Sequence, residues 1–208
     1  YYCEMIKKSI LFFIIIFSIS VSAQRRKQSW TEKVTFSADP HVKVMTSLGN
    51  NFLSDAFGYF YGFGLGLNTN LYKNFGLGVE YTYFLASIKD RDTFGYLGAP
   101  SMNNFDWYVF HKDKISEEFF VEEILGYSTY RIKSPYLDNS GKFNEGNGGL
   151  HFGAKAIYTI DNEGFQQVVF GTKLNFYNAK IGNQNPDIEK YYSKALLLNF
   201  SLAYRFNF

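Results

Sequence analysis

The chain has 208 residues, of which 46% are hydrophobic and 20% aromatic, and its formal net charge at pH 7 is only +2. The nearly balanced charge argues against a nucleic-acid partner, and the four prolines are too few for a disordered chain. A mean hydropathy of −0.19 is too low for a bundle of membrane helices. These figures leave a soluble β protein, or a β-barrel whose membrane signal lies in the alternation of its residues.

The N-terminal segment is typical of a secretory signal peptide with a helical core. Met5 precedes the basic residues Lys7 and Lys8, an apolar core follows at residues 10–21, and the small residue Ala23 fits a cleavage site. A retained membrane anchor is the alternative, but a core of about twelve residues is too short to span a bilayer as a helix. We therefore expect cleavage after Ala23.

Residues 1–4 precede this start and are interpreted as an upstream remnant, so that the signal segment comprises residues 1–23. The single cysteine, Cys3, lies in that remnant. The mature chain would therefore contain no disulfide, no thiol nucleophile and no lipidated cysteine. Residues 24–40 are predicted to be a short polar lead-in.

Residues 41–208 are predicted to form eight β-strands, because large apolar side chains alternate with small or polar ones. In the second strand, for example, Tyr61 and Phe63 alternate with Gly62 and Gly64. The predicted strands are residues 41–49, 59–71, 75–87, 104–111, 119–130, 150–160, 165–177 and 196–208.

One residue breaks the alternation. In the fifth predicted strand, residues 119–130, strict alternation places the charged Glu123 on the apolar face. A β-bulge inserts one extra residue and reverses the direction of the side chains that follow it. We therefore predict a bulge near residues 122–124.

The predicted connections alternate between short turns and long polar loops. The long loops are residues 89–103, 131–148 and 178–193, whereas the first connection at the same end, residues 50–58, is brief. All four prolines, including Pro40, lie outside the predicted strands, as the missing N–H of proline requires in a paired sheet.

The apolar face of the predicted barrel is expected to contact lipid. An eight-stranded barrel has an interior just wide enough for side chains to fill, and roughly thirty large apolar residues would not fit inside it. The glycine-rich face suits a crowded lumen, and the outside of a soluble barrel would carry lysine and glutamate instead. The predicted fold is therefore all-β: an eight-stranded antiparallel up-and-down transmembrane β-barrel.

The chain resembles small bacterial outer-membrane β-barrels of the OmpA/OmpX type. Its last strand resembles the signal that the outer-membrane assembly machinery reads, and the junction around Ala23, with the bias to Tyr, Phe, Asn and Lys, resembles such proteins from Bacteroidetes. The resemblance implies an outer-membrane location, short turns in the periplasm and long loops at the cell surface. The residues of the proposed assembly signal are Phe200, Leu202, Tyr204, Phe206 and Phe208.

Charged residues of both signs fall on the lumen face and are the main candidate site. Charges in a narrow lumen must pair or be hydrogen-bonded. Glu122 is expected within cross-strand reach of Lys155. We favour a structural network that plugs the lumen, and the alternative is a gate whose pairs exchange to open a small pore. The seven residues are Lys43, Glu80, Asp106, Glu122, Lys155, Lys173 and Arg205.

A second, weaker candidate is a hydrolase dyad of Ser128 and His151, which the predicted pairing sets opposite each other in the lumen. Lipid A deacylase barrels carry a His-x-Ser strand motif, but residue 153 here is glycine, and no acidic residue is obviously placed to orient His151. His41 and His111 are expected to be solvated at strand ends. Three scattered histidines predict neither a metal site nor catalysis, and no motif predicts a cofactor.

Three functional hypotheses follow. The first is a non-enzymatic outer-membrane barrel with a filled lumen and a structural or surface-interaction role. Its expected partners are outer-membrane lipid, the barrel assembly machinery, and a surface ligand or envelope protein. The second is a small gated pore, and the third is a lipid-modifying hydrolase. Tyr191 and Tyr192 in the last long loop are interpreted as loop anchors rather than a carbohydrate-stacking platform.

Overall fold

The protein folds as a closed β-barrel in which each strand pairs with its neighbours in sequence. The signal segment 1–23, its cleavage site at Ala23 and residues 24–34 of the predicted lead-in lie outside the described residues. The computed structural model of the protein describes residues 35–94, 98–137, 141–161, 163–179 and 184–208.

The barrel has eight antiparallel strands. It is closed by the pairing of the first strand with the last, in which Val44 lies opposite Phe200. This confirms the predicted eight-stranded up-and-down barrel. The strands are β1 (Thr35–Leu48), β2 (Phe57–Tyr72), β3 (Phe75–Ile88), β4 (Ser101–Lys114), β5 (Phe119–Pro135), β6 (Lys142–Thr159), β7 (Gln166–Asn178) and β8 (Lys194–Asn207).

Three short helices lie at one end of the barrel: α1 (Phe52–Ala56), α2 (Arg91–Phe94) and α3 (Pro186–Ser193). Each one joins an odd-numbered strand to the next even-numbered strand, and in an up-and-down barrel all such connections share one end. We call this the helix end and the opposite one the turn end. No helix in the described part of the chain is long and apolar enough to cross a membrane.

The first strand is longer than predicted. It begins at Thr35 rather than at residue 41, so residues 35–40 belong to the barrel and not to the lead-in. Pro40 consequently lies inside a strand. The ladder between β1 and β8 has a gap at residues 39–40 and resumes in the same register at His41. The strand accommodates proline there because no ladder bond to β8 is made at that point.

The predicted long loop at residues 131–148 is wrong. β5 continues to Pro135 and β6 begins at Lys142, and the two strands pair without interruption up to these ends. Toward the helix end the outward side chains of β5 become polar while the alternation persists, since Arg131 is exposed and Ile132 is buried. The prediction therefore ended these strands too early, because it relied on apolar residues that the outer ends of the strands do not have.

The predicted β-bulge near residues 122–124 is also wrong. β5 pairs with β4 and with β6 without a register shift. Glu123 stays on the outer face, where it lies directly opposite His111. A glutamate is accommodated there because it lies near the turn end and has a polar partner: the His111 Nδ1 atom is 3.3 Å from Glu123 Oε2.

The two faces of the barrel differ as the alternation predicted. Large apolar side chains point outward, and Phe63 and Trp107 are 62% and 53% exposed. The inner face is crowded enough to require glycine at some positions. A Cβ atom at Gly64 would lie 2.0 Å from the backbone oxygen of Tyr81. The small residues of this face therefore let neighbouring groups approach the strand.

An apolar cluster that the sequence analysis did not predict lies inside the barrel at its helix end. Its members on β1, β2 and β3 include Met45, Phe60 and Phe84, each at most 1% exposed, and α1 adds Leu53 and Ala56. The inner face is thus not uniformly small and polar. The buried members are Met45, Leu53, Ala56, Phe57, Phe60, Phe84, Met102, Tyr130, Ile132, Tyr177, Ala179 and Leu197.

Candidate functional site

All seven charged residues that the alternation assigned to the lumen are buried, and none is more than 7% exposed. They form two groups in the lumen, on the turn-end side of the apolar cluster. The first group surrounds Arg205, and the second surrounds Glu80 and Asp106.

The Arg205 guanidinium binds two carboxylates. It donates from Nε and Nη2 to the two Asp39 oxygens, both at 2.8 Å, and from Nη1 and Nη2 to the Glu122 oxygens at 2.5 and 3.1 Å. The two bidentate pairs use four of the five N–H donors of the planar arginine fork. Lys112 Nζ adds a further positive charge 3.9 Å from Glu122 Oε1. This group therefore balances two anions with two cations.

Asp39 was missed by the sequence analysis because it fell in the segment predicted as a lead-in. It is 2% exposed. The pattern that would have found it is the polar series Asp39, His41 and Lys43 at every second residue, which continues the inner face of β1.

The second group joins two carboxylates to three lysines. Glu80 and Asp106 lie opposite each other on β3 and β4, so both require a cation nearby. Lys43 binds Glu80 and also lies 3.7 Å from Asp106, while Lys173 binds Asp106 and lies 3.9 Å from Glu80. Lys155 lies 4.0 Å from Glu80. Each carboxylate thus contacts one lysine closely and has another within reach.

The expected pair between Glu122 and Lys155 does not form. The two residues lie directly opposite each other on β5 and β6. Glu122 nevertheless reaches across the lumen to Arg205. Lys155 donates to the Tyr108 hydroxyl at 2.7 Å and lies 4.6 Å from the centre of that ring. A cation over an aromatic face is stabilised by the quadrupole of the ring.

Tyr108 connects the two groups. Its hydroxyl accepts from Lys155 and donates to Asn68 Oδ1 at 2.6 Å, and Asn68 Nδ2 in turn donates to Asp39 at 2.8 Å. The chain of hydrogen bonds runs from Lys155 to the carboxylate that binds Arg205. Both charged groups therefore belong to one buried network to which all eight strands contribute.

Ser128 and His151 are in contact, although their backbone positions are not opposite as predicted. His151 lies opposite Gly126, and the Ser128 Oγ atom is 2.7 Å from His151 Nδ1. An acidic residue is present after all, because Asp106 Oδ1 lies 2.5 Å from Ser128 Oγ. Asn175 Nδ2 also donates to that hydroxyl at 3.0 Å.

This arrangement differs from a hydrolase triad. In a triad the histidine lies between the carboxylate and the serine and accepts the serine proton. Here Ser128 lies between Asp106 and His151, and its single hydroxyl proton goes to the carboxylate, the stronger acceptor. Ser128, Asp106 and His151 are each 0% exposed. The contacts therefore make the serine a hydrogen-bonding link in the network rather than an activated nucleophile.

His41 is not solvated as expected. It is 6% exposed in the lumen, its Nδ1 atom lies 3.0 Å from the backbone oxygen of Asp39, and its Nε2 atom lies 2.9 Å from Thr82 Oγ1. The residue extends the network along β1 toward β3.

The last strand presents its alternating apolar residues outward. Phe200, Leu202 and Phe206 are 44%, 49% and 43% exposed. The chain end is held in the barrel, because the Phe208 N–H donates to the backbone oxygen of Phe36 at 2.8 Å. The positions proposed as an assembly signal therefore share the outer side of the barrel, with Tyr204 between Leu202 and Phe206 on the same face.

The helices over the helix end are linked by side chains. The Tyr191 hydroxyl on α3 donates to Asp55 Oδ2 on α1 at 2.7 Å, and the rings of Tyr192 and Phe52 lie 5.2 Å apart. Partial burial and the hydrogen bond to Asp55 raise the pKa of Tyr191 to about 12. Both tyrosines contact α1, as expected of loop anchors.

Comparison with known proteins bears on the fold. No protein-family model matches the chain, and no curated protein matches it. Neisserial surface protein A aligns with a TM-score of 0.55 at 11% identity, over 84% of this chain and 97% of that protein.

Two further solved structures give similar values. A major outer membrane protein from Thermus thermophilus has a TM-score of 0.57 at 12% identity, over 84% of this chain and 99% of that protein. Ail, the attachment invasion locus protein of Yersinia pestis, has a TM-score of 0.52 at 9% identity, over 86% and 100%. The chain therefore has the fold of the small bacterial outer-membrane β-barrels.

Proposed function

We propose that this protein is an outer-membrane barrel with a closed lumen, and that it has a structural or surface-interaction role through the connections at its helix end. The observation that carries the proposal is the double closure of the lumen. The ion-pair network around Arg205 and Glu80 fills its middle, and the apolar cluster with Phe60 and Phe84 fills its helix end. We infer that a barrel closed in this way does not pass solutes.

The outward surface supports a lipid environment. Leu65 on β2 and Leu202 on β8, on either side of β1, are each 49% exposed, and similar residues surround the barrel. Monomeric soluble proteins rarely expose apolar patches larger than a few hundred Å². We infer that outer-membrane lipid covers this belt. We also infer that the barrel assembly machinery reads β8 and the adjoining Phe208, as the resemblance to small outer-membrane barrels implies.

The connections at the helix end are the proposed contact surface. Leu137 is 61% exposed beyond the end of β5, and Ile188 and Tyr192 of α3 are 43% and 40% exposed. Exposed apolar side chains at loop tips suit contacts with a surface ligand or another envelope protein. Ail, which shares this fold, is the attachment invasion locus protein of Yersinia pestis.

One observation favours the gated pore as a second candidate. Lys43 binds Glu80 and also lies 3.7 Å from Asp106. Lys173 binds Asp106 and also lies 3.9 Å from Glu80. The two lysines could therefore exchange carboxylates with small movements. The hydrolase hypothesis has no comparable support, because Ser128 already donates its proton to Asp106.

Cell fractionation tests the proposal. The full-length protein, expressed in a Gram-negative host, should be recovered in the outer-membrane fraction. It should also migrate faster on a gel unheated than boiled, because closed barrels resist detergent. Protease applied to intact cells should cut near Leu137 and Ile188. Recovery in the soluble periplasmic fraction would contradict the outer-membrane location, and protection of both sites in correctly inserted protein would contradict the surface role.

A further inference from the structure

Three potential metal ligands meet on the outer surface of the barrel near the turn end. His111 and Asp113 belong to β4, and Glu123 belongs to β5. The His111 Nδ1 atom lies 3.3 Å from Glu123 Oε2 and 3.7 Å from Asp113 Oδ2, and the three ligand atoms all lie within 4.8 Å of one another. The histidines are scattered in the sequence, but the sheet places two carboxylates beside one of them.

The backbone holds these three side chains together. His111 and Asp113 are two residues apart on one strand and therefore share a face. Glu123 lies directly opposite His111 in a ladder that has no register shift. Side chains in such positions have Cβ atoms about 4.5–5.5 Å apart. The cluster is thus built on two paired strands rather than on a loop.

The spacing suits a divalent transition metal. Two ligands of a tetrahedral zinc ion, each about 2.0–2.1 Å from the metal, are about 3.3 Å from each other. Zinc binds imidazole and carboxylate groups together, whereas calcium and magnesium prefer oxygen ligands alone. We propose that His111, Asp113 and Glu123 form a site for a divalent first-row transition metal such as Zn²⁺.

The cluster is accessible to an ion and to water. The side chains of His111, Asp113 and Glu123 are 26%, 14% and 31% exposed. The residue opposite Glu123 on β6 is Ala154, whose small side chain leaves room for water ligands. The ring of Phe75 packs against His111 with 4.7 Å between centroids and limits the movement of the imidazole.

The charges around the cluster also suit a cation. Two carboxylates stand beside one imidazole. The lysines next in sequence are directed elsewhere: Lys112 lies 3.9 Å from Glu122 on the lumen side, and Lys114 binds Glu117 at 2.8 Å. A dication bound by the three ligands would offset the two negative charges that this face presents.

Calorimetric titration with ZnCl₂ tests the site. The barrel is prepared without a polyhistidine tag, folded in detergent and kept free of phosphate and chelators. We expect one saturable site per chain in the wild type. His111→Ala and Glu123→Gln should each weaken binding about tenfold or more, since a three-ligand site that loses one ligand retains only two. Glu117→Gln is the matched control and should bind as the wild type does, because Glu117 is exposed near the same turn but outside the cluster.

Titration with CoCl₂ provides a second readout, since Co²⁺ in a four-coordinate site absorbs visible light much more strongly than hydrated Co²⁺, and the His111→Ala variant should not show this increase. The heat-dependent gel shift establishes that each variant has folded, and Asp113→Asn replaces any variant that has not. Absence of saturable binding by the folded wild type would overturn the proposal. Equal affinity of wild type, His111→Ala and Glu123→Gln would also overturn it. Neither result depends on where the protein resides in the cell.

Discussion

The Arg205 guanidinium binds Glu122 through two hydrogen bonds across the lumen, although 83 positions separate the two residues in the chain. Their strands, β8 and β5, are not neighbours in the sheet. The contact therefore crosses the interior and links opposite walls of the barrel. The stability of the barrel should depend on such contacts.

Removing Glu122 should destabilise the barrel. Breaking a buried ion pair by deleting one partner typically costs about 3–5 kcal/mol, and we expect about 3 kcal/mol for Glu122→Ala because Asp39 still binds Arg205. The measurement is the urea midpoint of the refolded barrel in detergent. The control is Glu117→Ala, which removes the exposed pair with Lys114 and should cost less than about 1 kcal/mol. Equal midpoints for the two variants would show that the lumen pair contributes no more than a surface pair.

The lumen should not conduct ions even when one of its carboxylates is removed. Glu80→Ala breaks the contact with Lys43, but the apolar cluster around Phe60 and Phe84 still closes the helix end. We expect no single-channel current in planar bilayers for the wild type or for Glu80→Ala, while the unfolding midpoint of the variant falls. Current through Glu80→Ala would favour the gated pore over the plug.

Two glycines on the inner face of β2 should respond differently to alanine. A Cβ at Gly64 would lie 2.0 Å from the Tyr81 backbone oxygen, which cannot move without disturbing β3. At Gly66 the nearest atom, Asp39 Cβ, would lie at 3.4 Å. Gly64→Ala should lose at least about 1–3 kcal/mol from overpacking. Gly66→Ala should remain close to the wild type in the same urea titration. A similar loss of stability in both variants would show that β2 is not packed against β1 and β3 as described.

Deleting Phe208 should impair assembly in cells. Its N–H bond to Phe36 holds the end of β8 against β1, and its side chain, 77% exposed, is the last of the outward apolar series. We expect the deletion variant to reach the periplasm but to show a reduced heat-modifiable band in outer-membrane fractions. The control is deletion of the loop residue Leu137, which should leave that band unchanged. If the band is undiminished after deletion of Phe208, this residue is not part of an assembly signal.

Asp161, in the turn between β6 and β7, should contribute to the stability of the barrel in a way that depends on pH. Its carboxylate accepts the N–H groups of Phe165 and Gln166 at 3.0 and 2.8 Å, and these bonds lower the pKa of Asp161 below its ordinary value of 3.8. Because the folded-state pKa is lower, the stabilisation is present above pH 3.8 and is lost as the pH falls through the folded-state pKa. Asp161→Asn should therefore be less stable than the wild type at pH 7, and the difference in midpoint should shrink below pH 3.8. A difference that is constant with pH would exclude the carboxylate as its source.

The alternation of residues determined which side chains of each strand share a face, and the small volume of an eight-stranded lumen determined that the polar face points inward. This is why Lys43, Glu80 and Arg205 were assigned to the lumen from the sequence. The period of two is a local property of an extended backbone, so it needs no knowledge of neighbouring strands. The same reasoning identified Phe63 and Trp107 as outward residues.

Only the tertiary structure decided the partners of these charges. Glu122 lies opposite Lys155 in the ladder but binds Arg205, because the narrow lumen brings strands from opposite walls within reach of long side chains. The apolar cluster was hidden for a related reason. Phe60 and Phe84 are large and apolar like the outward-facing residues. The alternation places them on the inner face, but only the closed barrel brings them together with Met45 and the buried residues of α1.

The strand ends were likewise set by pairing rather than by composition. Arg131 and Gly146 read as loop residues because neither is apolar, yet they pair within β5 and β6. Pro40 reads as a strand breaker, yet its missing N–H coincides with a gap in the ladder to β8. Polar ends of strands carry no apolar signal in the sequence, whereas backbone hydrogen bonds to a neighbouring strand stabilise them whatever their side chains are.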